Sequence, residues 1–360
     1  MTAPVELTSL SLEGMEALVA RLGQPSYRAK QLYRWVYHSD AASVEAMSNL
    51  PAALRSALAS ETTLARLALT HRVQSRDQTI KLLFRLSSGR HVESVLIPDF
   101  ATENDRYGEG PATRLTVCVS SQVGCAMACS FCATGRMGFH QNLTAGEILE
   151  QVVLLDALAH KEFGRGVSNV VYMGMGEPLQ NYQEVVRSVH LLRDEAGLGL
   201  SARRITISTV GLARRIRQLA DDEVPANLAI SLHAPDDTKR SSIMPVNRAA
   251  KTDLTALRDA VRHYASTTGK PVTYEYCMFS GFNDSVEDAR NLARVCRWAP
   301  SKVNLIMYNP VPGLGFDRTE EKTLNAFIRV LVDGGVRVTV RRSRGQDIAA
   351  ACGQLAAETD

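Results

Sequence analysis

From Thr113 onward, short β-branched, apolar runs alternate with helix-length amphipathic stretches, and this rhythm restricts the fold more than any other feature. The strand-like runs are RLTVCVS, VSNVVYMG, RITIST, ANLAISL, VTYEYCMF, KVNLIMY and VRVTVRR. Helical stretches separate them, among them 144–163, 182–196, 252–268 and 284–298, and a further helix at 319–334 precedes the last strand. The helix at 144 opens with Thr144-x-x-Glu147, the spacing of a capping box. Apolar runs of this kind belong to strands covered on both faces, and strand–helix alternation lays them side by side and parallel. Six βα units plus one strand fall two units short of a closed eightfold barrel. A doubly wound sheet and a complete barrel fit the count less well. The expected class is α/β: a partial, laterally open βα barrel of about six units over residues 113–345.

The upstream segment has a different pattern. Residues 1–62 predict a helical accessory domain, with SLEGMEALVARLG and SYRAKQLYRWVYHS separated by Gly23-Gln24-Pro25. Residues 63–112 predict a β-hairpin turning at Ser87-Ser88-Gly89-Arg90, followed by the polar, Gly-rich linker DFATENDRYGEGPA. Residues 346–360 form a C-terminal tail. The first residues lack a basic start followed by an apolar stretch, and no apolar run approaches the ~18 residues of a membrane helix. A cytoplasmic protein is expected. Net charge is only +3. Basic clusters at Arg28/Lys30/Arg34, Arg203/Arg204, Arg214/Arg215/Arg217 and Arg341/Arg342/Arg344 are singly solvated helix faces; together they permit a phosphate-bearing partner.

Seven cysteines, an odd number in a long chain, argue against a secreted disulfide framework. Cys125, Cys129 and Cys132 form C-x3-C-x2-C directly after the first barrel strand. A structural zinc site wants four ligands, usually in paired C-x2-C units, and no second pair exists. Three thiolates on one short loop suit a [4Fe–4S] cluster with one iron left open. Gly176-Glu177, Ser208, His233 and Asn309 fall, like the cysteines, at carboxyl ends of predicted strands, the face on which βα barrels assemble active sites. Cys277, in an apolar strand, and Cys296, in a helix, read as small buried hydrophobes. Local context assigns the same role to Cys118, makes Glu93 a solvent-facing strand carboxylate, and leaves Cys352 a thiol without neighbours.

The motifs in order are TVCVSSQVGCAMACSFCATGRMGF, NLTAGEI, MGMGEPLQN, SLHAPDD, KVNLI, YNPVPG and DIAAACGQL. With GQPSYRAKQLYRWVY near the start, they closely resemble the RlmN/Cfr family of radical S-adenosylmethionine RNA methyltransferases over nearly the whole chain. The resemblance implies a [4Fe–4S] cluster on Cys125, Cys129 and Cys132. It implies S-adenosylmethionine contacts from Gly176, Glu177, Ser208, Ser231, Leu232, His233 and Asn309. It makes Cys352 the S-methylcysteine carrier, Cys118 the resolving thiol and Glu93 the proton acceptor. Gln141 stands where the family usually has arginine, and Val210 and Met307 replace residues common in its enterobacterial forms.

The implied reaction is methylation at C2 of an adenosine in 23S rRNA and in tRNAs, using two S-adenosylmethionine molecules per turnover. A covalent RNA adduct on Cys352 is resolved by a Cys118–Cys352 disulfide, and the electron donor is flavodoxin or ferredoxin. A monomer is expected, gripping RNA through Arg28, Lys30 and Arg34. Three rivals are methylation at C8, as in the Cfr-type enzymes, a zinc-stabilised RNA-binding protein without catalysis, and a radical enzyme activating another protein through a glycyl radical, which gives no reason for paired Cys118 and Cys352.

Overall fold

The computed structural model describes residues 4–38, 43–64, 67–102, 110–249, 252–341 and 343–357. Arg342, most of the polar linker stretch and the last three tail residues lie outside them. Ten strands form one sheet: β1 (Ala68–Gln74), β2 (Ile80–Arg85), β3 (His91–Phe100), β4 (Ala112–Cys118), β5 (Asn169–Tyr172), β6 (Ile205–Thr209), β7 (Asn227–Ser231), β8 (Val272–Met278), β9 (Ser301–Met307) and β10 (Val338–Arg341). They follow chain order across the sheet, and among the described residues its ends, β1 and β10, do not pair. From β4 to β10 every pairing is parallel. The structure is thus an open partial barrel of six βα units and a closing strand. The hairpin expected around Gly89 is present as β2 and β3, and with β1 it extends the barrel sheet antiparallel from β4.

The crossover helices are α4 (Ala145–Phe163), α5 (Tyr182–Arg193), α6 (Ala213–Asp221), α7 (Leu254–Thr268), α8 (Val286–Val295) and α9 (Glu321–Asp333). The predicted capping box at the start of α4 makes both of its bonds: Glu147 N–H donates to Thr144 Oγ1 at 3.1 Å, and Thr144 N–H donates to Glu147 Oε2 at 2.9 Å. Strand β8 shows how the barrel wall is built. Tyr274 and Tyr276 point outward, edge-on to Trp298 and tilted against Phe327. Each such buried aromatic contributes about 1.5–3 kcal/mol. The alternate residues, Glu275 and Cys277, are thereby turned into the barrel.

The accessory helices α1 (Leu12–Arg21), α2 (Tyr27–His38) and α3 (Ala52–Glu61) precede the sheet. They bury Met15, Leu32, Leu54 and Leu58 in a core continuous with that of the barrel. The turn at Leu7–Ser9 seats them on α4, where Gly146 N–H donates to Ser9 Oγ at 2.9 Å. Among the described residues no helix is long and apolar enough to cross a membrane.

Candidate active site

The cysteine loop hangs from a short hairpin, Gln122–Gly124 against Phe139–Asn142. Gly124 has φ +71°, and a Cβ there would drive into the Gly138 carbonyl, so only glycine fits. Cys125 N–H to Gly138 O at 2.8 Å and Cys132 N–H to Cys129 O at 3.2 Å stiffen the loop itself, and Ser130 N–H to Ile243 O at 3.0 Å ties it to a distant segment. Cys125 and Cys129 are buried, Cys132 is half-buried, and all three line one cleft at the carboxyl ends of the strands. Burial pushes the Cys125 thiol up to about 12, while burial and then the two neighbouring thiols hold Cys129 well above its ordinary value. Among the described residues no set of three donors is already closed into a metal cage. The donor chemistry nonetheless fits an iron–sulfur cluster. Three thiols sit on one loop where burial keeps them protonated, and a bound cation supplies the charge that makes them thiolates.

The cleft, open to solvent on one side, is also lined by Gly176, Glu177, Ser208, Ser231, His233, Glu275, Cys277, Tyr308 and Cys352. Gly176 has φ +99°, and a Cβ would meet the Gln122 side chain at 2.6 Å. The Glu177 carboxylate accepts from Leu179 N–H at 2.9 Å and Val210 N–H at 2.8 Å, and burial raises it to about 7. Ser208 and Ser231 hydroxyls approach to 3.5 Å. His233 Nδ1 accepts from Cys277 N–H at 3.0 Å. Burial, aided by the Arg240 charge, pushes this imidazole down to about 3, so it is neutral.

Two residues expected at the cofactor do not line the cleft. Leu232 is fully buried behind it. Asn309 grips the tail instead, donating to Cys352 O at 3.3 Å and accepting from Gln346 Nε2 at 2.6 Å.

That tail closes over the barrel mouth. Ala133 N–H donates to Gly353 O at 2.8 Å, and Thr134 Oγ1 donates to Leu355 O at 2.5 Å. Cys352 therefore faces the cleft on one side. On the other it lines a smaller cavity with Cys118, Met173 and Arg341. Both thiols are free. Burial and then Cys352 push Cys118 up to about 12, opposed by the Arg341 guanidinium.

Glu93 is not a solvent-facing carboxylate. It is 5% exposed, paired with Lys81 Nζ at 2.8 Å, and accepts from Ala356 N–H at 2.9 Å. A lone hairpin would have offered it a wet face. The pairing of β3 between two strands and the returning tail remove that face.

The structure adds residues that sequence reasoning passed over. Cys277 is buried as expected, yet it lines the cleft beside Cys352. Glu275 accepts from Asn304 Nδ2 at 2.8 Å, while its Oε2 is buried without a partner. Arg240, fully buried near Cys129, donates to Val210 O, to Asn247 Oδ1 and, at 3.2 Å, to Thr252 O. The inward parity of Glu275 and Cys277 was present in the VTYEYCMF run, since alternate tyrosines claim the outer face.

A laterally open βα barrel with a three-cysteine loop after its first strand defines the radical S-adenosylmethionine class, and residues 119–293 match the Radical SAM superfamily. Residues 5–64 match the ribosomal RNA large subunit methyltransferase N-terminal domain of RlmN. The probable dual-specificity RNA methyltransferase RlmN of Salinibacter ruber is 56% identical over 98% of this chain and 94% of its own. That of Moorella thermoacetica is 44% identical over 99% and 98%. A radical SAM methyltransferase from Sphaerobacter thermophilus, solved by crystallography, superposes with a TM-score of 0.89 at 46% identity, covering 99% of this chain and 100% of that one. The chain belongs to the RlmN family of radical SAM methyltransferases, and that membership implies a [4Fe–4S] cluster and S-adenosylmethionine.

Proposed function

We propose that this enzyme methylates C2 of an adenosine in 23S rRNA and in tRNAs through a methyl group carried on Cys352. The observation that carries the reading is the placement of Cys352 between two cavities, with the cluster cysteines in one and Cys118 in the other.

Cys125, Cys129 and Cys132 would hold the cluster, which supplies the electron that turns S-adenosylmethionine into a hydrogen-abstracting agent. Glu177, Ser208, Ser231 and neutral His233 present acceptors and donors along the cleft to orient that ligand. The Cys352 thiolate first takes a methyl group from another S-adenosylmethionine by displacement at carbon, forming its S–C bond as the sulfonium bond breaks. Adenine C2 is too electron-poor for an ordinary methyl transfer, so the carbon on Cys352 joins the base after losing hydrogen. Glu93 accepts the proton lost from the base. The Cys118 thiolate then attacks Cys352 Sγ, the S–C bond to the adduct breaks with its electron pair left on carbon, that carbon takes up a proton to complete the methyl group, and a disulfide forms as the methylated RNA leaves. A flavodoxin- or ferredoxin-class donor returns the electrons. The target base must be unstacked into the cleft, which favours loops over duplex. The enzyme works as a cytoplasmic monomer, and Arg28, Lys30 and Arg34 on α2 contact the RNA.

Replacing the resolving thiol tests the sequence of steps. Cys118→Ala is expected to accumulate a covalent RNA–protein species mapping to Cys352 by mass spectrometry, and clean turnover would overturn the mechanism. Nucleoside analysis of the product RNA decides position: 2-methyladenosine is expected, and 8-methyladenosine would overturn that assignment. Anaerobic reconstitution should yield iron and sulfide in four-to-four ratio; a zinc-only protein would overturn the catalytic reading altogether.

A further inference from the structure

The loop that carries Cys352 is pinned at both ends by one ion pair. Lys81 Nζ lies 2.8 Å from Glu93 Oε1 and donates to Ala349 O at 3.3 Å. Glu93 Oε2 accepts from Ala356 N–H at 2.9 Å. Residues 349 and 356 bracket Cys352, so strands β2 and β3 hold the two ends of the methyl-carrier loop through adjacent side chains. Both are largely withdrawn from water, at 16% and 7% side-chain exposure, where charge-assisted bonds are strong. Ala349 has φ +50°, a left-handed backbone that a residue with a Cβ keeps only when its surroundings hold it there.

The other ties of this loop are between neutral groups. They run from Ala350 N–H to Gly345 O, Ala133 N–H to Gly353 O, Thr134 Oγ1 to Leu355 O, Asn309 Nδ2 to Cys352 O and Gln354 Nε2 to Pro310 O. Two further carboxylates act just upstream. Asp347 accepts from Ser75 Oγ and Arg76 N–H, and Asp77 accepts from Gly345 N–H. They fix residues 345–347 as a hinge base. Among the described residues, the pin at Ala356 is made to the Glu93 carboxylate itself, and the pin at Ala349 is made by Lys81, whose position the charged carboxylate holds.

We propose that Lys81 and Glu93 form a latch on the Cys352 loop, and that transfer of the adenine C–H proton to Glu93 opens it. This rests on the reading of Glu93 as proton acceptor. The C–H bond breaks, an O–H bond forms on Glu93, Lys81 stays an ammonium, and no electron moves. A neutral Glu93 no longer pairs with Lys81 and accepts the Ala356 amide weakly. The loop is then released when Cys352 must turn from the cleft toward Cys118. Lys81 is in this scheme a positioning residue, and deprotonation of the base and resolution of the adduct become linked.

Glu93→Gln mimics the protonated acid, and Lys81→Met removes the latch from its other side while leaving the carboxylate. The full-length, RNA-free holoenzyme is compared by hydrogen–deuterium exchange of residues 345–357. It is also compared by the rate at which diamide, a disulfide-forming oxidant, joins Cys118 to Cys352 in non-reducing peptide maps. Both variants should speed tail exchange and cross-linking about tenfold or more. Exchange in α4 should not change, and Lys81→Arg should restore slow exchange. Wild-type exchange and cross-linking rates in both variants would overturn the latch. Turnover on RNA separates the two ideas. A mobile tail with undiminished methylation in Glu93→Gln upholds the latch and removes Glu93 as proton acceptor, and with it the trigger. A wild-type tail with accumulated adduct upholds the acceptor and overturns the latch.

Discussion

His233 illustrates what burial does to a site that looks polar in sequence. Its ring is held by Cys277 N–H at Nδ1 and edge-on by Phe131 at 4.9 Å. Its pKa of about 3 lies below the ordinary 6.5 because the charged form is excluded from water. The unfolded chain takes up a proton near 6.5 while the folded chain does not, so the stabilisation is complete above pH 6.5. It is lost as pH falls from there toward 3. The span corresponds to as much as about 5 kcal/mol at the acid end. Urea unfolding of the metal-free protein at pH 7, 5.5 and 4.5 should show a shallower acid loss in His233→Gln than in the wild type. Parallel curves would mean that His233 already titrates normally. Residue identities of this kind were legible as positions at strand ends. The direction of Glu93 was not, because it depends on what covers β3. Ser94, its neighbour, donates to Gln151 Oε1 of α4 at 2.6 Å, so helix and tail cover opposite faces of one strand.

At the scale of elements, alternation in the chain predicted the seven parallel strands and the crossover helices between them. It did not reveal β1, whose residues ALTHRVQ are mostly exposed and carry little apolar pattern. Edge strands of that kind owe their existence to a partner's ladder bonds rather than to their own burial. The loops at the carboxyl ends were also illegible as a set, because one buried arginine ties them. Arg240 leaves the two-turn helix Asp237–Ile243 after β7 and reaches Val210 in the loop after β6, whose N–H in turn holds Glu177. Arg240→Met keeps the apolar stem but leaves the Val210 and Thr252 carbonyls and the Asn247 amide oxygen without their donor. At about 1–3 kcal/mol for each buried acceptor left unpaired, a loss of at least about 3 kcal/mol in denaturant unfolding is expected. Lysine should not rescue it, since a single ammonium cannot reproduce the planar fork. Wild-type stability in Arg240→Met would show that these loops are held by packing alone.

Across the whole molecule, what joins the accessory helices to the barrel is a close approach that no periodicity could announce. Gly146, in the first turn of α4, reads in sequence as a weak point, because glycine costs a helix about 1 kcal/mol relative to alanine. In the fold it is the floor on which the turn Leu7–Ser9 rests. A Cβ there would run into Thr8 Oγ1 and come within 2.7 Å of Ser9 Oγ and 2.8 Å of Glu6 Oε1. Those atoms are already committed: Ser9 Oγ donates to Glu6 Oε2 at 2.7 Å and accepts from Gly146 N–H, and Thr144 Oγ1 donates to Glu6 Oε1 at 3.0 Å. The sign of one substitution therefore decides whether the two parts are rigidly seated. In a helix with open space, Gly146→Ala stabilises by about 1 kcal/mol. Against the seated turn it must break that network, so a net loss of unfolding free energy is expected. Hydrogen–deuterium exchange should quicken at residues 5–10 while the capping bonds of α4 stay protected. A variant more stable than the wild type, with unchanged exchange at residues 5–10, would mean that the accessory helices ride on the barrel loosely.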